Sequence, residues 1–241
     1  MADMQLEADA ESAGLDPERV EALVERARRE VDQGLLPSCQ LAIARHGQLG
    51  VLRTIGAADN SSRYVIFSCT KAAVAGAAWM LISEGKLDPS TRAADLIPDF
   101  APNGKEQITL EQLLTHTSGF PNAPLGAPDW LTREGRLARF ARWRTEFPPG
   151  SRFWYHPTSA HWVVAHMIEE AAGVDYRRFL AEWVMEPLGL HRFQLGARQV
   201  GICDVCDSVA GCGQGRGRNP VGQLRGRVIR HLEQLVEVSA K

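Results

Sequence analysis

The stretch "FSCTKAAVAGAAWMLISEGKLD", residues 67–88, constrains this chain more than any other. It is rich in alanine and apolar almost all round, so it reads as a buried helix that ends at Gly85. It also holds Ser-x-x-Lys twice, at Ser68 to Lys71 and at Ser83 to Lys86. That spacing arises by chance about once in a chain of this size, so position along the helix has to separate the two serines.

Ser68 follows the apolar run "YVIF" and falls in or near the first turn. Unpaired backbone N–H groups and the helix dipole favour developing negative charge there. Lys71 lies one turn on, on nearly the same face, so its amine can approach the hydroxyl. An amine buried in an apolar helix needs a partner, and desolvation would suit it to accept or relay a proton. The bland reading of this pair is an N-cap serine beside a lysine that reaches to the surface. Ser83 stands in the last turn, where outward carbonyls oppose an alkoxide, and Lys86 is a cation near a helix C-terminus. Ser83 therefore reads as structural.

Around this helix the pattern alternates between types. Asp16-Pro17 reads as an N-cap and first turn, with Val20, Leu23, Val24, Ala27 and Val31 at helical spacing behind it. "SCQLAIARHGQLGVLRTIGAAD" reads as two strands joined at His46-Gly47, a ribbon that needs more sheet from elsewhere. After a proline-punctuated connector, Thr109 caps a short helix that breaks at Gly119. Further helices are expected over Trp130 to Trp143, up to Gly173, and from Asp175 to Pro187. The fold class is α+β, with a helical subdomain on an antiparallel sheet that is expected to be incomplete. The domain reading is residues 1–195 as one unit and residues 196–241 as a Gly/Arg-rich tail. A final amphipathic helix is expected over Val221 to Val238.

Composition excludes several classes. The net charge is −2, which offers no attraction to nucleic acid or an anionic membrane. No apolar run is long enough for a transmembrane helix. The acidic start, "MADMQLEADAESAGLD", is not a secretory signal. Five cysteines without an export signal imply reduced thiols and a cytoplasmic protein.

Four motifs in order, "FSCTKAAVAGAAWMLISEGKLD", "ITLEQLLTHTSGFP", "PPGSRFWYHPTSAHWVVAHMIEEAAG" and "EPLGL", resemble the serine β-lactamase and penicillin-binding-protein superfamily. Within it the chain looks most like class C β-lactamases and their esterase relatives, over roughly Gln40 to Leu190. The resemblance implies a β-lactamase/transpeptidase-like fold and three catalytic positions. Ser68 matches the acylated serine, Lys71 the lysine of the same motif, and Tyr155 the tyrosine of the second motif, which moves protons between nucleophile and leaving group. Whether lysine or tyrosine is the base stays open. The backbone N–H of Ser68 is a candidate oxyanion donor. The implied reaction is hydrolysis of small esters or amides through an acyl-enzyme on Ser68, with no metal or organic cofactor.

Two departures bear on that reading. Tyr155-His156-Pro157 puts proline where true β-lactamases often carry asparagine, which argues against efficient antibiotic hydrolysis. No Lys-Thr-Gly or His-x-Gly strand motif follows Tyr155, and composition shifts to glycine and arginine after about Gly196. A chain truncated or altered after about Leu195, as by a shifted reading frame, accounts for both. The alternative function is then a non-catalytic member of the family that binds a ligand or partner.

Other candidates are weaker. Cys203, Cys206 and Cys212 with His231 have some zinc-site flavour, but the glycine-rich surroundings offer no rigid frame. Cys69 reads as a small buried residue. His156, His161 and His166 are spread around a helix axis, against a shared metal, and His156 is either a pocket residue or a solvated loop residue. The tryptophans of the helices read as core and Trp154 as a pocket wall. The stretch Arg216 to Arg230 reads as a solvated tail rather than a nucleic-acid contact.

Overall fold

The computed structural model describes residues 9–195 and 237–239. These residues divide into two compact units, residues 9–65 with 237–239 and residues 66–195.

In the first unit, helix α1 (Pro17–Asp32) starts where expected. Asp16 caps it by accepting from the N–H groups of Glu18 and Arg19, with proline in the first turn. Strands β1 (Ser38–Arg45) and β2 (Gln48–Gly56) pair antiparallel, joined at His46-Gly47, both at positive φ. That is the chirality a tight two-residue hairpin requires. Helix α1 packs on this ribbon, and its Val24 is buried, while Leu23 of the expected apolar set is exposed. A short β3 (Arg63–Val65) pairs antiparallel with β4 (Glu237–Ser239). The expected helix over Val221 to Val238 is thus corrected at Glu237 and Val238, which are strand; the rest of that segment lies outside the described residues.

The second unit is helical. A single 3-10 turn, Phe67–Cys69, leads into α2 (Thr70–Ser83). Thr70, Val74, Ala77, Ala78 and Leu81 are buried on one side of α2, and Trp79 is 62% exposed on the other, so α2 is not buried all round. Helix α6 (Ser159–Ala172) is more deeply set, with nine buried residues, and packs on α2. The connector proves to be core: Ile97, Phe100 and Ile108 are buried around α3 (Ala93–Leu96). Helix α4 (Leu110–Leu114) begins with the reciprocal box of Thr109 and Gln112, each side chain taking the other's backbone N–H. The expected helix over Trp130 to Trp143 is split: Thr132 is extended and caps α5 (Arg133–Arg142), and the apolar Leu131 is exposed. Helix α7 (Tyr176–Phe179) runs on as a π-turn over Leu180–Met185.

Candidate active site

Ser68 sits in the 3-10 turn that feeds α2, preceded by Phe67 at φ +47°. A non-glycine residue in the left-handed region costs about 1–2 kcal/mol, and such strain clusters where a side chain must be presented. The turn is tied by the Phe67 carbonyl, which accepts from the Thr70 hydroxyl, and by the Cys69 N–H to the Ile66 carbonyl at 3.0 Å. Cys69 is exposed, not buried as its type suggested.

The helix period brings Lys71 back beside Ser68, with Nζ 3.1 Å from Oγ. Its second partner is the main-chain carbonyl of Pro157, at 2.6 Å. Proline thus removes the amide side chain that the second motif often carries, yet its carbonyl still anchors the lysine. Tyr155, on the extended run before α6, points its hydroxyl at Ser68, with Oη 2.8 Å from Oγ. Lys71 Nζ also lies 5.2 Å from the Tyr155 ring centroid. The three predicted side chains therefore meet at one oxygen, within hydrogen-bond reach. Burial opposes ionisation of Tyr155, but the Ser68 and Lys71 hydrogen bonds and the Lys71 charge outweigh it and hold the phenol below its ordinary value.

Ser83 behaves as the structural reading requires. Its hydroxyl caps back onto the Met80 carbonyl at 2.7 Å, and Lys86 pairs with Glu84 at 2.8 Å. Trp154 stacks on Arg152, whose guanidinium lies 5.0 Å from its ring, and it does not line the cavity beside Ser68. Trp79 and Trp183 are exposed, which corrects their placement in the core, whereas Trp130, Trp143 and Trp162 are buried.

Sequence reasoning missed how far the Thr-His-Thr-Ser-Gly run supports Tyr155. His156 is fully buried, not a solvated residue. Its Nε2 accepts from the Phe120 N–H at 3.2 Å and lies 3.1 Å from Ser118 Oγ; its Nδ1 reaches the Trp154 carbonyl at 2.6 Å. Because Nε2 accepts, the proton of the neutral ring belongs on Nδ1. Gly119 is at φ +90°, and a Cβ there would stand 2.4 Å from the Phe147 carbonyl oxygen, so only glycine fits. Burial, and then the nearby charges of Lys71, His116 and His156, push His161 down to about 3. The signal that pointed to this layer was the motif itself; residue chemistry alone did not say where its side chains go.

A cavity of about 150 Å³ opens beside Ser68, walled by Lys71, Val74, Trp162, Tyr176 and Leu195. Its lining is mostly apolar. Away from it, His166, Glu169 and Glu170 lie together on α6. His166 Nε2 accepts from Arg136 at 2.9 Å and Arg133 pairs with both glutamates, so two guanidiniums already occupy the surroundings where a cation would sit. Cys203, Cys206, Cys212 and His231 lie outside the described residues. Among the described residues no helix is long and apolar enough to cross a membrane.

The sequence model of the Beta-lactamase family matches residues 20–205, most of the chain and all three converging side chains. The chain belongs to that family. Among its relatives, an Escherichia coli K12 protein named "Putative D-alanyl-D-alanine carboxypeptidase" is 29% identical over 76% of this chain and 49% of its own. Esterase EstB of Burkholderia gladioli is 29% identical over 71% of this chain and 50% of its own. A solved penicillin-binding-protein homologue from Caulobacter crescentus superposes with a TM-score of 0.64 at 27% identity, covering 76% of this chain and 52% of that one. The chain thus spans about half the length of the family relatives it matches. The fold is that of the β-lactamases and penicillin-binding proteins, mixed α and β, and the family's named members include esterases and peptidases.

Proposed function

We propose that this protein is a serine hydrolase that cleaves small esters or amides through an acyl-enzyme on Ser68. One observation carries the reading: Ser68 Oγ lies 2.8 Å from the Tyr155 hydroxyl and 3.1 Å from the Lys71 amine. A hydroxyl becomes a useful nucleophile only when a neighbouring base takes its proton. Tyr155, with its phenol held below the ordinary value, takes that role, and Lys71 supplies the positive charge that stabilises the phenolate.

The cycle balances with these groups alone. Ser68 Oγ bonds to the acyl carbon while its proton passes to Tyr155 Oη. Collapse of the tetrahedral adduct breaks the bond to the leaving oxygen or nitrogen, which takes that proton. Water then attacks the acyl carbon, gives its proton to Tyr155, and Ser68 recovers it as the acid departs. The apolar cavity beside Ser68 suits a short apolar acyl or alkyl group.

A fluorescent alkyl phosphonate and p-nitrophenyl butyrate test this. Label on Ser68 and release of p-nitrophenol, both lost in Ser68→Ala, are expected. A folded chain that takes no label and releases no product would overturn the reading in favour of a binding protein that keeps the family's helical part.

A further inference from the structure

His116 belongs to no step of that cycle, yet it grips the catalytic tyrosine from three sides. It follows the last turn of α4 at φ +59°, a conformation that bends the chain out of the helix and turns its ring toward residues 153–161. Its backbone carbonyl accepts from the Trp154 N–H at 3.0 Å, and its side-chain Nδ1 accepts from the His156 N–H at 3.1 Å. Those donors are the residues immediately before and after Tyr155. The ring itself lies 4.7 Å from the Tyr155 ring, centroid to centroid. One residue thus holds both flanking peptides and the aromatic face of Tyr155, much as a neighbouring strand would.

We infer that His116 is the positioning residue for Tyr155, and that its Nδ1 acceptor sets where the phenol oxygen stands relative to Ser68. The inference rests on the proposed role of Tyr155. Phe153, Trp154 and Tyr155 are 67%, 48% and 41% exposed, so side-chain packing alone does not fix the run. Its other ties are the bond between the His156 Nδ1 and the Trp154 carbonyl and the bond from Lys71 to the Pro157 carbonyl, and neither holds the His156 N–H. Losing the His156 N–H acceptor frees the backbone that carries the phenol, and a displacement near 1 Å at a reacting group costs about a hundredfold in rate. The neutral ring is the working form. Burial and then the charges of His156 and Lys71 hold His116 below its ordinary value. Protonated Nδ1 could no longer accept.

The substitutions that separate this role from simple packing use the position of the acceptor. Asparagine places an oxygen near the position of Nδ1 and tolerates positive φ; glutamine carries its oxygen further out, where Nε2 was. With p-nitrophenyl butyrate, His116→Gln and His116→Gly are expected to lose about 10- to 100-fold in kcat with KM little changed. His116→Asn should recover to within about threefold of the parent. A second readout needs no turnover: the ultraviolet titration of the Tyr155 phenol, assigned by its absence in Tyr155→Phe. In His116→Gln it should move up toward the ordinary tyrosine value, and in His116→Asn it should stay low. Circular dichroism and thermal unfolding of each variant report folding.

Equal activity and equal titration in folded Gln, Gly and Asn variants would overturn the inference while Ser68→Ala remained inactive. A Ser68→Ala protein as active as the parent would instead sink the functional reading, and the phenol titration would still decide whether His116 positions Tyr155.

Discussion

Tyr155→Phe removes one oxygen and little else. The phenylalanine ring can keep its place beside His116, and the side chain is 41% exposed, so no buried hole is left. The stability change should stay within about 0.5 kcal/mol, as for surface substitutions generally. The chemical change is larger. The lost Oη is the group 2.8 Å from Ser68 Oγ, and Lys71 at 3.1 Å remains the only other described side chain within hydrogen-bond reach of it. General-base catalysis contributes about 10²- to 10⁴-fold, equivalent to about 2.7–5.5 kcal/mol of barrier. Stopped-flow release of p-nitrophenol from p-nitrophenyl butyrate separates acylation from deacylation. Both steps use the phenol, so both rate constants should fall. A decrease below about fivefold in acylation, in a variant that unfolds at the parent's urea midpoint, would refute Tyr155 as the base and move that role to Lys71.

Two further outcomes follow from the same geometry. Gly119→Ala should lose about 2–5 kcal/mol in urea unfolding, from its φ of +90° and a Cβ set 2.4 Å from the Phe147 oxygen; a loss under about 1 kcal/mol would show that the turn can relax. Stability should also fall with acid. Burial, followed by nearby positive charges, pushes His161 and His166 down to about 3, against 6.5 in the unfolded chain. These depressed values mean the unfolded state binds more protons between about pH 6.5 and 3, so stability is full above that window and lost as pH falls through it. Two such groups give a slope approaching about 3 kcal/mol per pH unit near pH 5, and a flat profile there would show that both rings are charged in the fold.

Some of this protein was legible residue by residue. Asp16 and Thr109 cap their helices because a short polar side chain can satisfy N–H groups two or three residues on. His46-Gly47 closes its hairpin because both residues can take positive φ. Ser68 and Lys71 lie one turn apart on any helix, and the first-turn argument separated them from Ser83 and Lys86. The errors came where neighbours outside the local pattern decide. Leu131 and Trp79 are apolar but exposed, and the connector residues Phe100 and Ile108 are buried. Thr132 broke an otherwise periodic run by capping a new helix.

Tyr155 was tied to Ser68 by the order of family motifs, since no local rule joins residues 87 apart in the chain. The carbonyl of Pro157 on Lys71, the buried ring of His156 and the hold of His116 on both peptides around Tyr155 were not readable at all. Periodicity, caps and turn chemistry are set by a few adjacent residues, so the sequence alone determined the capped starts of α1 and α4, the hairpin and the serine–lysine pair. Where a carbonyl or an imidazole nitrogen finds its partner depends on how whole segments pack, and that was decided only by the tertiary structure.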